Sequence, residues 1–313
     1  MVSIGIDLGG TNIAVGAVSE EGALLSQVCV PTRSQRPYQD VVREMAACVR
    51  EALQKAQLPE TALHSIGIGV PGAVDPVQGT VIGCSNIPWH GVPLRSEMQR
   101  YFSVPVFLEN DATVAALAET VCGAAKGAGS CVMLTLGTGV GSGIILNGRP
   151  WNGAFRQGGE IGHMVLYPNG VPCACGRNGC VERYCSATAL ALRGKQACWA
   201  HPDSLILEKA GGDIEGITAQ MVMDAAKEGD APALRAVSAF ADALALTIDN
   251  IINFLDPEII VLGGGVSRAG AFLLDAVLPR IPTTDRLDPR TLPSIMLAQL
   301  GSEAGVIGAA MLQ

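Results

Sequence analysis

A two-domain α/β fold with a duplicated unit is predicted from the length of the chain and from two stretches that begin alike. At 313 residues the chain is longer than a single hydrophobic core usually covers, so we expect two domains. In the first stretch, an apolar strand at 2–7 leads through LGGTN to a returning strand at 13–18. In the second, a strand at 131–136 leads through GTGVGS to a returning strand at 143–146. Strand, glycine turn and strand therefore begin both halves.

The remaining elements follow from hydrophobic periodicity and from residues that end helices. Apolar residues recur at helical spacing over 39–56, with Pro37 before this stretch and Pro59 after it. An alanine-rich helix is expected at 111–122, directly after a strand at 106–109. The other predicted strands are 24–30, 65–70, 259–262 and 295–298, and the other predicted helices are 218–227, 231–254, 270–278 and 304–312. Residues 194–216 show no pattern that assigns them.

Composition and charge exclude several classes of protein. Hydrophobic residues make up 49% of the chain and charged residues 16%, which is far from a disordered composition. The net charge is −8 and no basic cluster occurs, so nucleic acid and anionic membranes are not expected as partners. Of the ten cysteines, seven are scattered without a framework. With no signal peptide and no apolar run of about 18 residues, a reduced cytoplasm is the expected location.

One short loop carries a set of metal ligands. His163, Cys173, Cys175 and Cys180 have nine, one and four residues between successive members. One imidazole and three thiolates suit tetrahedral Zn²⁺, and the glycines of the loop let so short a segment fold back. Four protein ligands leave no open coordination position, so the zinc is expected to be structural. The alternative is three reduced cysteines and an unrelated histidine, which rarely lie so close together by chance.

The same loop would present two carboxylates and one oriented hydrogen-bond donor. Glu160 and His163 are three residues apart, so they share a face of a helical turn. Glu182 follows the last cysteine of the loop by two residues. If one nitrogen of His163 binds the metal, the other is fixed as an N–H donor. Such a set suits a small, neutral, polyhydroxylated ligand.

Three glycine-rich turns, each after an apolar strand, could hold phosphate groups. Glycine lets the backbone approach an anion, and exposed N–H groups form a phosphate cradle. Neither the P-loop pattern nor a G-x-G-x-x-G that opens a helix occurs. One such turn is usually only a turn, but three, with two threonine hydroxyls, favour a nucleoside triphosphate held between two domains. The candidate residues are Asp7, Gly9, Gly10, Thr11, Asn12, Gly137, Thr138, Gly139, Gly263, Gly264 and Gly265.

Two acidic residues of the predicted site have a structural alternative. Asp7, at the end of the first strand, could hold Mg²⁺ through water, or it could serve only as the partner of an Asx-type turn. Asp111 begins the predicted helix and could be its N-cap. As a general base, Asp111 would instead accept the proton of an attacking hydroxyl, as an aspartate does in kinases. A phosphate cradle and a hydroxyl-binding loop in the same chain favour the base.

With these residues the chain resembles the sugar kinases of the ROK (repressor, open reading frame, kinase) family over essentially its whole length. The glycine turns are shared with the wider actin and hexokinase superfamily, whereas the cysteine loop and GGEIGH are specific to ROK proteins. The matching segments are DLGGTN at 7–12, LENDA at 108–112, LGTGVGSG at 136–143, GGEIGH at 158–163, CACGRNGCVE at 173–182 and LGGG at 262–265.

The resemblance implies an actin-like ATPase fold of the hexokinase and Hsp70 type, related to ribonuclease H, with an interdomain cleft. On this fold the small α/β domain would cover 1–118 with the C-terminal helix 299–313, and the large one 119–298 with the zinc loop 163–180. The resemblance further implies ATP with Mg²⁺, phosphorylation of a hexose 6-hydroxyl, and a homodimer or tetramer. The implied sugar contacts are Asn110, Asp111, Glu160, His163 and Glu182, with Asp111 as the base.

Within the family, an ATP-dependent glucokinase of carbohydrate metabolism is the leading hypothesis. The segment NIPWHGVPL at 86–94 is similar to the sugar-side loop of glucokinases. Kinases for allose or N-acetylmannosamine share most of the same residues and remain alternatives, whereas fructose is disfavoured. A ROK-type sugar sensor without turnover is the alternative from another class. Family repressors carry a DNA-binding segment before the first strand, and here that strand is expected from Val2, which argues against a regulator.

Overall fold

The computed structural model describes residues 1–84, 86–156, 158–282 and 292–313. We number strands and helices in chain order. The strands are β1 Val2–Leu8, β2 Asn12–Ser19, β3 Leu24–Pro31, β4 Leu63–Val70, β5 Gly72–Asp75, β6 Thr80–Cys84, β7 His90–Val92, β8 Val106–Asn110, β9 Ser130–Leu136, β10 Val140–Leu146, β11 Arg149–Pro150, β12 Ile259–Gly263 and β13 Ser294–Leu297. The helices are α1 Tyr38–Lys55, α2 Leu94–Met98, α3 Asp111–Cys122, α4 Glu182–Cys185, α5 Ala187–Ala200, α6 Leu205–Lys209, α7 Ala219–Lys227, α8 Ala231–Leu255, α9 Ala271–Val277 and α10 Ala304–Ala310.

Two five-stranded sheets have the same order of strands. The first runs β3-β2-β1-β4-β8 and the second β11-β10-β9-β12-β13, so the first strand of each set lies in the middle in both. In the first sheet, β1 pairs antiparallel with β2 and parallel with β4, and β4 pairs parallel with β8. In the second, β10 and β11 are antiparallel, and β12 and β13 are parallel. The shared order agrees with the predicted duplication of one α/β unit.

The chain groups into two units by its internal contacts. Unit 1 comprises 1–133, 143–159 and 299–313, and unit 2 comprises 134–142 and 160–298. The division of domains expected from the sequence, at 118/119 and 298/299, stays a prediction. These units differ from that division in assigning 119–133 and 143–159 to the first group.

In unit 1, a row of glycines lets helix α10 lie directly on the sheet. Gly16, Gly5 and Gly67 pair across β2, β1 and β4 in one register. A Cβ on Gly5 would overlap the carbonyl oxygen of Val306, and one on Gly67 would overlap that of Ala309. Any larger side chain in this row would therefore push the helix away from the strands, because core packing leaves no spare volume.

The predicted elements are confirmed with small shifts at their ends, and one glycine turn is shorter than expected. We expected the second turn to cover 137–142 and the returning strand to begin at Gly143, but β10 begins at Val140, so only residues 137–139 form the turn. Gly143 lies inside the strand, where an added Cβ would come 2.6 Å from the Ala112 carbonyl oxygen. This glycine thus serves close packing rather than a turn. The 194–216 stretch contains the end of α5 and all of α6.

Helix α8 is the longest helix of the described residues, and it has a side-chain N-cap and a strongly apolar composition. Asp230 caps it by accepting a hydrogen bond from the Ala233 N–H at 3.0 Å, with Pro232 in the first turn, as predicted. Among the described helices, α8 alone is long and apolar enough to cross a membrane by length and composition. More than half of its apolar window is buried inside the protein, which is the pattern of a core helix.

Candidate functional site

In unit 2, the cysteine loop folds into a tight hairpin that brings the four predicted ligands together. Isolated bridges pair Val165 with Cys180 and Pro172 with Asn178 in antiparallel fashion. Gly179 has a φ of +77°, and a Cβ there would overlap the carbonyl oxygen of Tyr167. The sequence therefore needs glycine where the second arm of the hairpin passes the first.

The geometry of the cluster fits a tetrahedral metal ion. The ligand atoms of His163, Cys173, Cys175 and Cys180 all lie within 4.8 Å of one another. The Cys173 sulfur is 3.8 Å from His163 Nδ1, and the Cys175 and Cys180 sulfurs are 3.6 Å apart. A tetrahedron with zinc–sulfur bonds of about 2.3 Å has sulfur–sulfur edges of about 3.8 Å. The donor set and its spacing thus agree with the predicted zinc site.

The thiols of this cluster differ in acidity. Hydrogen bonds from the backbone and side chain of Arg177 lower the pKa of Cys175 to about 6. Burial raises the pKa of Cys180 to about 12. A divalent cation among the sulfurs would favour the thiolate form of all of them, because it supplies the largest local charge.

His163 faces the cluster through one nitrogen and leaves the other for a different partner. It ends a 3₁₀ turn, Ile161–His163, whose N-cap is Glu160, and its N–H donates to the Glu160 carbonyl at 3.0 Å. Glu160 lies three residues before His163, at the N-cap of this turn, and a shared face for the two side chains stays a prediction. Because Nδ1 is the atom near the Cys173 sulfur, Nε2 is the nitrogen that a metal bond would fix as an N–H donor.

Glu182 joins the zinc loop to the glycine turn at 137–139. Its Oε2 accepts a hydrogen bond from the Val140 N–H at 3.0 Å. A Cβ on Gly139 would overlap the same Oε2, and a Cβ on Gly162 would overlap the Val140 carbonyl oxygen. The backbone of Val140 therefore lies between the GGEIGH segment, which approaches its carbonyl oxygen, and Glu182, which accepts from its N–H. Neither contact is visible in the spacing of the sequence.

Two of the predicted phosphate turns meet in unit 2. A Cβ on Gly264, which has a φ of +83°, would come 2.6 Å from the backbone N and O of Leu136, the residue before Gly137. The Gly137 carbonyl oxygen accepts from Ala187 N–H, and the Thr138 carbonyl oxygen accepts from the Thr188 hydroxyl, both at 2.7 Å. The turns at 137–139 and 263–265 are thus neighbours, at the N-terminal end of α5.

A cavity of about 330 Å³ opens beside the third glycine turn. Its lining combines the N-terminal end of α7 with the segment after β12, and sequence reasoning missed most of it. The lining includes Ala187, Thr218, Gln220, Lys227, Gly265 and Arg268. Only Gly265 was predicted, because the others lie on helices and turns that carry no recognisable motif.

In unit 1, the predicted first turn is closed by the backbone. Gly9 N–H donates to the Asn12 carbonyl at 2.9 Å, and the Thr32 hydroxyl donates to the Gly9 carbonyl at 2.6 Å. The Thr11 carbonyl accepts from Thr32 N–H at 2.7 Å. A Cβ on Gly10 would come 2.9 Å from the Asn86 Cβ, so this glycine lets the loop after β6 approach the turn.

Asp7 and Asp111 lie close together, although β4 separates β1, which carries Asp7, from β8, which leads into Asp111. Asp7 pairs with Gly69 on β4, and a Cβ on Gly69 would lie 3.8 Å from the Asp111 Cα. Burial first, and the charge of Asp111 second, raise the pKa of Asp7 to about 6. A buried carboxylate whose pKa is raised further by a neighbouring carboxylate is typical of functional sites.

Asn110, rather than Asp111, caps helix α3. Its side chain accepts hydrogen bonds from Ala112 N–H at 2.9 Å and from Thr113 N–H at 3.2 Å, and donates to the Gly72 carbonyl at 3.2 Å. Asp111 is the first residue of the helix, and its Oδ1 accepts from Ala112 N–H at 2.8 Å. The N-cap alternative that we considered for Asp111 is therefore wrong, because β8 extends one residue further than predicted.

Comparison with known proteins shows to which family the chain is similar. The ROK family profile matches residues 3–313. The chain belongs to the ROK family. The glucokinase of Thermotoga maritima is 37% identical over 310 residues, which cover 98% of this chain and 95% of that protein. The glucokinase of Halalkalibacterium halodurans is 36% identical, over 97% of this chain and 92% of its own.

Solved structures confirm the fold predicted for this ROK protein. A ROK family glucokinase from Streptomyces griseus, in complex with glucose and AMPPNP, superposes with a TM-score of 0.82. It is 34% identical and covers 99% of this chain and 98% of its own. The α/β fold of this ROK chain is accordingly that of the actin-like sugar kinases.

Proposed function

We propose that this ROK protein is an ATP-dependent hexokinase that phosphorylates the 6-hydroxyl of glucose. The glucokinases among its relatives support glucose as the acceptor. The observation that carries the mechanism is the capping of α3 by Asn110, because it removes the N-cap role as the explanation for Asp111. A carboxylate at the first position of a helix, beside a second buried carboxylate, is suited to receive a proton from a hydroxyl.

Asp111 acts as the general base in this proposal. In phosphoryl transfer the protein mainly positions the reactants and neutralises charge, but the attacking hydroxyl must lose its proton. Asp7 would hold the Mg²⁺ that accompanies ATP, through water, since its burial next to Asp111 favours a neighbouring cation. The magnesium would neutralise charge on the phosphates.

The nucleotide is proposed to bind through the glycine turns. The neighbouring turns at 137–139 and 263–265 would contact phosphate through backbone N–H groups, and the 330 Å³ cavity beside Gly265 supports binding of the nucleoside there. The remaining proposed contacts are Asp7, Gly9, Gly10, Thr11 and Asn12, around the turn after β1.

The sugar is proposed to contact Asn110, Asp111, Glu160, His163 and Glu182. A structural zinc would be bound by His163, Cys173, Cys175 and Cys180, and it would stabilise the loop without taking part in the reaction. That bond would fix the His163 ring, so its Nε2–H can donate to a sugar hydroxyl. Glu182 keeps one oxygen on the Val140 N–H, and its other oxygen can accept from the sugar.

We further propose a cytoplasmic homodimer or tetramer. All ten cysteines are free thiols, which supports a reducing compartment. Sugar and nucleotide are its small-molecule partners, and neither nucleic acid nor membrane is proposed. Gel filtration with light scattering would measure the oligomeric state directly.

A coupled assay of ADP release over a panel of sugars tests the proposed function. With ATP and Mg²⁺, we expect glucose to give the highest kcat/KM and fructose little turnover. A much larger kcat/KM for allose, N-acetylmannosamine or another hexosamine would overturn glucose as the substrate but not the kinase. No ADP release with any sugar, together with tight sugar binding, would instead support a sensor.

A further inference from the structure

Buried Glu109 and half-buried Asn152 form a hydrogen-bonded pair next to the candidate base. Glu109 is only 5% exposed, and its Oε2 accepts a hydrogen bond from Asn152 Nδ2 at 2.7 Å. Its Oε1 accepts from the backbone N–H of Asn110 at 2.8 Å. Burial raises the pKa of Glu109, whereas these two hydrogen bonds lower it. A buried carboxylate needs such donors, so the pair is a specific structural feature of this strand end.

The pair reaches the base through the backbone of Asn110. Glu109 accepts a hydrogen bond from the Asn110 N–H. The Asn110 side chain accepts one from the first turn of α3 and donates one to the Gly72 carbonyl. Asp111 follows directly and accepts from Ala112 N–H within the same turn. The peptide between Asn110 and Asp111 therefore lies between two anchored groups, one in the strand and one in the helix.

Asn152 is itself held by the loop in which it lies. Trp151 N–H donates to the Ile144 carbonyl at 2.8 Å, and Gly158 N–H donates to the Asn152 carbonyl at 2.9 Å. Glu109 and Asn152 also line a cavity of about 850 Å³. Because Asn152 is only half-buried and borders this cavity, removing its side chain leaves no sealed void.

We propose that Glu109 and Asn152 are a positioning pair that fixes the orientation of Asp111 for proton transfer. The inference rests on the proposed role of Asp111. Asn152 donates a hydrogen bond to Oε2 of Glu109, and this orients Oε1 of Glu109 toward the Asn110 N–H. Without Asn152, the carboxylate turns toward solvent in the cavity, and the strand end that carries Asp111 loses its anchor. Small displacements of a catalytic group cost rate far more than they cost ground-state binding.

Four variants of the full chain, assayed with glucose, ATP and Mg²⁺, test the pair. Asn152→Ala is expected to lower kcat on the order of 10–100-fold, with less than about a threefold change in the glucose dissociation constant. Asn152→Asp should lower kcat further, because two carboxylates then face each other. Glu109→Gln combined with Asn152→Asp should restore most of the kcat lost in Asn152→Asp, since the new amide can donate to the new carboxylate. Asn253→Ala is the matched control, because Asn253 donates to Asp249 on an exposed helix face.

The outcomes separate this inference from the proposed function. If Asp111→Asn loses turnover but Asn152→Ala and Asn152→Asp keep kcat within about threefold of wild type, the pair does not position the base. A double variant that stays as slow as folded Asn152→Asp also overturns the pairing, because a general loss of stability would not be reversed by exchanging donor and acceptor. If Asp111→Asn itself turns over normally, the proposed base is wrong and the inference is overturned with it.

Discussion

At the scale of single residues, Asp7 is a buried carboxyl group next to a second carboxylate. Its carboxyl has a pKa raised to about 6, by burial and by the charge of Asp111. At neutral pH the site therefore holds two like charges in a setting that disfavours them. Such an arrangement is costly to the free protein and is relieved by a cation, which is the role we propose for the Mg²⁺ that accompanies ATP.

The burial of Asp7 predicts a pH-dependent gain in stability for Asp7→Asn. The folded-state pKa of about 6 lies above the ordinary aspartate pKa of 3.8, so the folded state binds more protons than the unfolded state between these values. The stabilising contribution of protonated Asp7 is complete below 3.8 and is lost as the pH rises through 6. At pH about 7.5, Asp7→Asn should therefore be more stable than wild type by up to roughly 3 kcal/mol, at 1.36 kcal/mol per pKa unit.

Urea unfolding without nucleotide or added Mg²⁺ measures this difference at two pH values. The gain should shrink by pH about 4, and turnover of Asp7→Asn should be lost at every pH. Equal stability of the two proteins at the higher pH would contradict a raised pKa for Asp7.

At the scale of elements, the zinc loop holds residues that belong to two different tasks. Cys173, Cys175 and Cys180 are predicted metal ligands, while Glu182 follows Cys180 by two residues and accepts a hydrogen bond from the Val140 N–H next to the glycine turn. The hairpin therefore connects the predicted metal ligands, the residues proposed to contact the sugar and the glycine turn. Loss of the metal should disturb all three, because a site of this size has little other core to hold it.

Cys175→Ser should remove the metal and weaken glucose binding. A neutral hydroxyl replaces one of four ligands, and metal affinity depends on the thiolate. Cys29→Ser is the matched control, because Cys29 is also exposed but lies outside the loop, on β3. Elemental analysis and glucose titration of both variants measure the effects. Absence of zinc from active wild-type protein would contradict the assignment of the metal.

At the scale of the whole molecule, Glu119 fixes the place where the chain returns to unit 1. This glutamate on α3 is fully buried, and its Oε1 accepts from the N–H groups of Gln299 and Leu300, both at 2.9 Å. Its Oε2 accepts from Ala124 N–H at 2.7 Å. One carboxylate thus satisfies three backbone donors, one after α3 and two just before α10, the helix that packs on the glycine row.

Glu119→Gln should destabilise the protein by about 1–3 kcal/mol, the usual cost of an unsatisfied buried donor. An amide keeps one acceptor oxygen but turns an N–H₂ group toward at least one backbone N–H. Glu51→Gln is the control, since Glu51 is an exposed member of an ion pair with Lys55. Urea unfolding followed by circular dichroism compares the two variants. A loss for Glu119→Gln no larger than that for Glu51→Gln would contradict this account.

Much of the fold could be predicted because local pattern and tertiary structure agree. Helix α3 begins and ends as expected, and the duplicated order of strands follows from strand, glycine turn and strand at 2–18 and 131–146. The small hairpin sheet of β5, β6 and β7 was missed, since its strands are short and contain glycine. The sequence left open whether Asp111 caps α3, because Asn and Asp are equally good N-caps and only the structure tells which one is used.

The site was predictable where chemistry requires rare residues at fixed spacing. Four metal ligands in one loop are recognisable, and the structure brings them together. The contacts of Glu109 with Asn152 and of Glu119 with Gln299 join residues 43 and 180 positions apart. Asparagine and glutamate at such separations carry no pattern, so only the folded chain reveals them.

The central claim is that Asp111 takes the proton of the sugar hydroxyl, and Asp111→Asn tests it most directly. Asparagine keeps the shape and can still bond the sugar, but it cannot accept the proton. We expect kcat to fall by about 10²–10⁴, the usual value of general-base assistance, while the glucose dissociation constant changes far less. Single-turnover kinetics and glucose titration of the folded variant measure both quantities. Turnover near that of the wild type would contradict the account.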